Sequence, residues 1–331
     1  MHARYYTGHP SAQRAPAPVD TFAGQWGRKS DPAGYIADAG LVDAVNVALI
    51  LGQPLLVTGE PGTGKTQLAH SVAWELGFGP PLVFETKSTS TARDLFYDYD
   101  TVGRFHAAQT GDGSQRSVDY ITFNALGTAI LRACDPDQVR DMLPEGFDPG
   151  ARQRSVVLID EIDKAPRDFP NDILNEVEGM FFTVPEIRNR RVTADPSLRP
   201  ILVLTSNSEK HLPDAFLRRC VYYNIPFPDR ERLLEIVAER IDLGDSDGGE
   251  FLDESLDFFL ELRQPATGLH KRPATAELLG WIGYLLEAGA ALTTSMRRQR
   301  KVLESSMSAL VKGAADQEIA SSMLSRWIAT H

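Results

Sequence analysis

The segment GEPGTGKT, residues 59–66, constrains the fold of this chain more than any other feature. It matches the pattern GxxxxGK[ST] in full, follows the apolar run PLLVTG at 54–59, and opens a predicted helix over Thr66–Leu76. In this context a glycine-rich loop directs its backbone N–H groups and the helix N-terminus toward a bound anion. The alternative is an ordinary glycine-rich turn, but the flanking strand and helix favour a phosphate-binding loop.

Each residue type in this loop suits the binding of a nucleotide with Mg²⁺. Gly62 and Gly64 allow the backbone to approach the phosphates closely. We expect the Lys65 ammonium to reach the β- and γ-phosphates and the Thr66 hydroxyl to ligate Mg²⁺. The residues predicted to contact the nucleotide are Gly59, Glu60, Pro61, Gly62, Thr63, Gly64, Lys65, Thr66 and Gln67.

A second motif, VVLIDEID at 156–163, supplies carboxylates. Its apolar residues predict a strand that carries Asp160 to its carboxyl end, where ligands bind in open α/β sheets. Asp160 is then the expected Mg²⁺ partner, direct or through water, and Glu161 the expected base that polarises the attacking water. The alternative is a solvated turn, which the glycine loop elsewhere in the chain disfavours. Asp163 and Lys164 are interpreted as surface or coupling residues.

A third motif, TSN at 205–207, ends another predicted strand. A polar side chain at this point can hold the lytic water near the γ-phosphate, and Asn207 is the candidate. Alternatively, a residue of the Ser206–Ser208 stretch caps a short helix over 208–212. Both interpretations remain open from the sequence.

Short apolar runs separated by helical stretches predict the fold class. Continuous apolar character is typical of a parallel sheet covered by helices on both faces. The candidate buried strands are 54–59, 82–86, 156–160, 201–206 and 221–225. After Asp229 the strands cease and five amphipathic helices are predicted. We therefore predict an α/β fold with a three-layer αβα core over 31–228, an all-helical domain over 229–331, and a flexible tail at 1–30.

The charge and cysteine content narrow the class of protein. The 331 residues carry a net charge of −11, which counts against non-specific nucleic-acid binding. Cys134 and Cys220 lack CxxC spacing, which is typical of a reducing, cytosolic setting. The N-terminus lacks the layout of a signal peptide, and no run of about 18 apolar residues predicts a membrane span. We expect a cytoplasmic protein.

The three motifs, in this order and followed by twin arginines and a helical domain, resemble the AAA+ ATPases, whose fold is a P-loop NTPase core with a helical lid. Finer segments resemble the MoxR-like branch over about residues 35–290. These segments are LIDEIDKAPRDFPNDILNEVE, the hairpin-like FFTVPEIRNRRVT at 181–193, TSNSEKHLPDAFLRRC and HKRPATAELLGW. The resemblance, rather than any residue, implies ATP as the nucleotide.

The resemblance also implies roles for particular arginine residues. In ring-shaped AAA+ proteins, an arginine at the helix end before the last core strand enters the neighbour's nucleotide site. Arg219 is the first choice for this role and Arg218 the second. The alternative is that the pair complements a helix dipole. The lid is expected to carry one more arginine before its third helix, which is Arg272, with Lys271 as the rival.

Two further segments each allow two interpretations from the sequence. Phe96, Tyr97 and Tyr99 lie in an insertion between the second and third core strands, where they either pack in the core or face a pore or partner. The hairpin arginines either grip an acidic partner or nucleic acid, or form a solvated charged loop. They are Arg188, Arg190 and Arg191.

The resemblance implies a motor that hydrolyses ATP in a ring, hexameric by analogy, and remodels a partner protein. MoxR-like proteins are typically linked with partners bearing a von Willebrand A-type domain and with complex maturation. A nucleotide-gated assembly switch with slow turnover, for example in a defence system, is the alternative. A nucleic-acid translocase is a third hypothesis, which the net charge of −11 disfavours.

Overall fold

A computed structural model describes residues 31–110, 116–208, 212–241, 243 and 248–329. The predicted tail at 1–30 lies outside the described residues, as do 111–115 within the insertion. The described residues form two compact units. The body unit comprises 37–60 and 64–226, and the helical unit comprises 31–36, 61–63 and the described residues from 227 onward. The domain limits predicted from the sequence stay a prediction.

The body unit alternates strands and helices along the chain. Its elements are α1 Ala39–Leu51, β1 Leu55–Gly59, α2 Lys65–Glu75, β2 Leu82–Glu85, β3 Tyr97–Tyr99, α3 Thr101–Thr110, β4 Ile121–Phe123, α4 Ala125–Arg132, α5 Pro136–Val139, β5 Val156–Asp160, α6 Phe169–Asp172, α7 Leu174–Gly179, β6 Phe181–Val184, β7 Arg190–Thr193, β8 Ile201–Thr205, α8 Asp214–Leu217 and β9 Val221–Ile225.

Five of these strands form one parallel sheet in the order β2-β5-β8-β1-β9. Helix α1 packs against β9 and β1, α2 against β1, β5 and β8, and α4 against β2 and β5. The predicted fold class, a parallel sheet with surrounding helices followed by a helical region, is confirmed. Because all five strands are parallel, the ends of β1, β5 and β8 that carry the three motifs meet at one edge of the sheet.

Burial differs between the centre and the margins of the sheet. Strand β1 is buried throughout, and β5 is buried up to Asp160. The margins β2 and β9 alternate between partly buried and exposed residues, apart from the buried Ile225. The sequence prediction of five buried strands was therefore wrong at the margins. The strand order makes these two runs the edge strands of the sheet, each with only one neighbouring strand in the part of the chain described. Local composition does not reveal which strands lie at the edges.

The insertion folds as a small antiparallel pair of β3 and β4 that flanks α3. Phe96 and Tyr97 are 4% and 1% exposed and belong to the hydrophobic core of the body, whereas Tyr99 is partly buried against it. Phe96 stacks on Phe182 at a centroid distance of 5.6 Å. Core packing is thus the role of Phe96 and Tyr97 in this chain.

The hairpin-like segment is an antiparallel pair of β6 and β7. Two of its arginines have partners within the body. The Arg190 guanidinium donates to the Gln138 carbonyl at 3.0 Å, and the Arg191 guanidinium lies 3.6 Å from the centroid of the Phe181 ring. Arg188 is exposed at the turn, with φ 53°.

The helical unit has its own hydrophobic core, centred on buried aromatic residues such as Phe258, Phe259 and Trp281. The Trp281 indole donates to Ser306 Oγ at 2.7 Å. Among the described residues, no helix has the length and apolar character needed to cross a membrane. The helices of this unit are α9 Arg230–Arg240, α10 Gly249–Leu262, α11 Thr275–Glu287, α12 Arg300–Leu310 and α13 Ala314–Ala329.

A buried carboxylate fixes the segment that precedes α11. Asp316, in the first turn of α13, accepts the backbone N–H of His270 at 2.9 Å and that of Lys271 at 2.9 Å, and its Oδ1 lies 2.9 Å from His270 Nδ1. These bonds, led by the His270 backbone donor, lower the pKa of Asp316 to about 2. The last helix therefore anchors the segment that carries Lys271 and Arg272.

We expect Asp316→Asn to lower the melting temperature by several degrees at pH 7, because the amide replaces a charged acceptor. A depressed carboxyl pKa contributes stability above its unfolded value of about 4 and loses it as pH falls toward the folded value. The gap between wild type and variant should therefore narrow from about pH 4 toward pH 2. Calorimetry across this pH range measures the difference in melting temperature, with a variant at an exposed position, Glu318→Gln, as the matched control. A gap that stays constant with pH would contradict the assignment.

Candidate functional site

The glycine loop joins the end of β1 at Gly59 to the start of α2 at Lys65, as its pattern predicts. Gly64 is the N-cap of α2 with φ 87°, and Gly62 has φ 80°. These left-handed conformations favour glycine, since a Cβ atom there is sterically costly. The loop thus leads its backbone directly into the N-terminus of an eleven-residue helix, where N–H groups without intrahelical partners can bind an anion.

The Lys65 side chain is buried at the carboxyl edge of the sheet. Its Nζ donates to the carbonyl oxygens of Gly59 at 2.8 Å and Glu60 at 2.9 Å, and to Asn207 Oδ1 at 3.0 Å. Burial lowers the Lys65 pKa, and nearby carboxylates, with Asp163 first and Asp160 next, oppose that shift. The ammonium group therefore lies where the motifs of β1, β5 and β8 converge.

The Asp160 carboxylate accepts hydrogen bonds from two hydroxyl groups. Thr66 Oγ1 lies 3.1 Å from Oδ1 and 3.2 Å from Oδ2, and Thr205 Oγ1 lies 2.5 Å from Oδ1. The structure thus brings together the two residues predicted to hold Mg²⁺, although they are far apart in sequence. Carboxylate and hydroxyl oxygens are hard donors of the kind that Mg²⁺ prefers, completed by water and phosphate oxygens. The residues present fit a Mg²⁺–nucleotide complex.

Glu161 follows β5 in a left-handed conformation, with φ 55° and ψ 50°. Its backbone N–H donates to Thr205 Oγ1 at 2.9 Å, and its carboxylate pairs with the Lys164 ammonium. The pair is open to solvent, since the Glu161 side chain is 40% exposed and that of Lys164 54%. Hydrogen bonding to Glu161 raises the Lys164 pKa.

Asn207 connects the ends of two strands. Its side-chain oxygen accepts from Lys65, and its backbone N–H lies 3.3 Å from Asp163 Oδ1. The capping alternative concerns a helix over 208–212, of which 209–211 lie outside the described residues. Ser206 Oγ bonds locally to the Ser208 backbone, at 2.7 Å from its carbonyl oxygen.

The twin arginines follow the four-residue helix α8, and both are exposed. The Arg219 guanidinium contacts Glu178 Oε2 at 3.3 Å and the Ala215 carbonyl at 3.0 Å. Arg199 in turn donates to the Glu178 carbonyl at 3.0 Å, which fixes the end of α7 that carries this carboxylate. Arg218 makes no side-chain hydrogen bond or ion pair within the described part of the chain.

Lys271 and Arg272 belong to the helical unit and are exposed just before α11. Asp316 holds the Lys271 backbone, so this segment is fixed at its N-terminal side. Pro273 follows and is buried. The role of Arg272 toward a nucleotide stays a prediction.

Sequence reasoning gave Thr205 no role of its own and interpreted Lys164 only as a surface or coupling residue. Thr205 had a usable signal, because it is the first residue of the TSN motif and the last residue of its strand. Its partners, however, depend on which strands are neighbours. Gln67, by contrast, was predicted, and its Oε1 atom is buried with no hydrogen-bond partner among the described residues.

Comparison with known proteins agrees with the motifs. The sequence model of the ATPase family associated with various cellular activities (AAA) matches residues 55–227, more than half of the 331 residues. No curated protein matches the chain. A RuvB mutant of Thermotoga maritima is 17% identical with a TM-score of 0.47, covering 82% of this chain and 70% of that one. A structure described as the T. maritima RuvB Holliday junction branch migration motor is 16% identical with a TM-score of 0.42, covering 88% and 72%.

Proposed function

Because the chain belongs to the AAA family of ATPases, we infer that it is a MoxR-like motor that hydrolyses ATP in a ring and remodels or matures a partner protein complex. The observation that carries this proposal is the convergence of three sequence-distant motifs at one sheet edge. Lys65 bonds Asn207 there, and Thr66 bonds Asp160. These contacts join the ends of the strands that an ATPase needs to bring together.

We propose a task for each residue of the site. Loop amides and the Lys65 ammonium would bind the β- and γ-phosphates of ATP, and Thr66 and Asp160 would hold Mg²⁺. Mg²⁺, when bound, neutralises charge on the phosphate oxygens. The Glu161 carboxylate would orient the attacking water and accept its proton, and the Asn207 amide would help to place that water. The proposed reaction is hydrolysis of the terminal phosphoanhydride bond.

A ring would complete this site with an arginine from the neighbouring protomer. Arg219 and Arg218 are both exposed on the body surface, and the contacts of Arg219 with Glu178 and Ala215 would have to open for it to reach another chain. Such an arginine neutralises charge on the transferring phosphoryl group and is worth about 10³–10⁵ in rate in other systems. The partner of the ring is proposed to be a protein, of the kind that carries a von Willebrand A-type domain.

Mixing two inactive variants tests the ring directly. We expect Lys65→Ala and Arg219→Ala each to be nearly inactive alone, and a one-to-one mixture to regain activity. ATP can be hydrolysed only at an interface between two protomers where one supplies an intact loop and the other an intact arginine. In a randomly mixed ring, about one quarter of these junctions between protomers meet that condition. Phosphate release measured over a series of mixing ratios gives the recovered fraction.

The control is a mixture of Lys65→Ala with Glu161→Gln. Both changes fall on the same side of a junction, so no junction regains a complete site and no rescue is expected. The series is repeated with Arg218→Ala. Rescue by one arginine variant identifies the residue that acts in the neighbour, whereas failure of both at every ratio contradicts the shared site.

A further inference from the structure

Thr205 lies between the two acidic residues of the proposed site and is 1% exposed. Its Oγ1 is 2.5 Å from Asp160 Oδ1 and 2.9 Å from the Glu161 backbone nitrogen. A hydroxyl has one hydrogen to donate, and the Glu161 N–H can only donate. The Thr205 hydroxyl therefore accepts from Glu161 and gives its hydrogen to the Asp160 carboxylate.

The sheet register produces this arrangement. Strands β5 and β8 are parallel neighbours, and Ile159 pairs with Leu204. The next residues along the two strands are Asp160 and Thr205, whose side chains consequently emerge on the same face. Because β5 is buried up to Asp160 and β8 is buried from Leu202 to Thr205, the two side chains have little freedom to separate.

The same hydroxyl supports an unfavourable backbone conformation. Glu161 has φ 55°, a conformation that is unfavourable for a residue other than glycine unless its surroundings enforce it. The bond from its N–H to Thr205 is one such constraint. Loss of the hydroxyl would release both the Asp160 carboxylate and the Glu161 backbone.

We propose that Thr205 is a positioning residue that orients the Asp160 carboxylate for Mg²⁺ and the Glu161 backbone for its role as base, through one shared hydroxyl. This inference rests on the proposed function. Thr66 also contacts the Asp160 carboxylate, but it comes from the loop that would bind the nucleotide. Thr205 comes from the sheet and so supplies the fixed reference for the carboxylate.

The test compares Thr205→Val, which removes the hydroxyl, with Thr205→Ser, which keeps it. The Mg²⁺ concentration for half-maximal binding of a fluorescent ATP analogue is measured together with turnover. Loss of a group that orients a metal ligand typically costs ten- to hundredfold in metal affinity or activity, so we expect about that increase in the Mg²⁺ midpoint for Thr205→Val. Thr205→Ser should stay near wild type.

Ser206→Ala is the matched control, because it removes a buried hydroxyl one residue further on that, among the described residues, bonds only to the Ser208 backbone. Thr205→Ala replaces the valine variant if that protein folds poorly. An unchanged Mg²⁺ midpoint in the valine or alanine variant, even with lower turnover or stability, overturns the proposal. If wild type itself binds no nucleotide, the proposed function fails instead, so the two failures are distinguishable.

Discussion

Replacing Lys65 with alanine is expected to abolish ATP turnover and to weaken nucleotide binding by at least about a hundredfold. Hydrogen bonds to charged groups contribute about 1.5–3 kcal/mol each, and each 1.4 kcal/mol is a factor of ten in affinity. The Lys65 ammonium is the buried cation at the sheet edge where Glu60, Asp160, Glu161 and Asp163 all act on it. Without it, these carboxylates would repel a polyphosphate. Isothermal titration with an ATP analogue and phosphate release measure the two effects.

The control for this variant is Lys87→Ala, an exposed lysine shortly after β2 in the body. It removes the same charge from the chain without touching the glycine loop, and we expect it to bind ATP normally. Alanine at position 65 also deprives the Gly59 and Glu60 carbonyls of a donor. A melting curve therefore accompanies the binding data. Unaltered binding and turnover in a folded Lys65→Ala protein would refute the phosphate site.

The parts of this site that the sequence predicts are those whose signal is local. Three features can each be recognised from about ten consecutive residues: the glycine loop, the apolar strand before Asp160 and the strand before Asn207. Parallel strands then bring the three ends to one edge of the sheet, so motif order and fold class predict that Lys65 and Asn207 lie at the same edge. That is why the predicted fold class is confirmed and why residues predicted for the site lie close together, whereas their roles stay a prediction.

The parts that the sequence does not predict depend on pairings between distant segments. Thr205 meets Asp160 because β5 and β8 are neighbours in a particular register, which no local pattern encodes. Glu178 meets Arg219 across 41 residues, and Asp316 meets His270 across 46. Likewise, the apolar runs of β2 and β9 do not reveal that they form the margins of the sheet. Such contacts require the three-dimensional arrangement.

Glu161→Gln is expected to lower turnover by about 10²–10⁴ while leaving ATP binding near wild type, because an amide of the same shape cannot accept the proton of the attacking water. The Glu161 backbone bond to Thr205 does not involve the altered group. The ion pair with Lys164 is lost, but an exposed pair contributes only about 0–1 kcal/mol. Lower turnover therefore cannot be ascribed to unfolding. Single-turnover hydrolysis and binding of the same nucleotide separate the two steps.

Glu85→Gln is the matched control, since Glu85 ends the neighbouring strand and pairs in register with Asp160. It removes an exposed carboxylate from the same sheet edge, and we expect normal turnover.

A ring of Glu161→Gln protomers should also stay in its ATP-bound state and retain its client protein. In a pull-down with ATP we therefore expect the client to be recovered with the variant but not with the wild type. Equal, slow hydrolysis by wild type and Glu161→Gln would contradict the motor. The chain would then act as a nucleotide-gated switch, in which binding at Lys65 matters and the carboxylate of Glu161 does not.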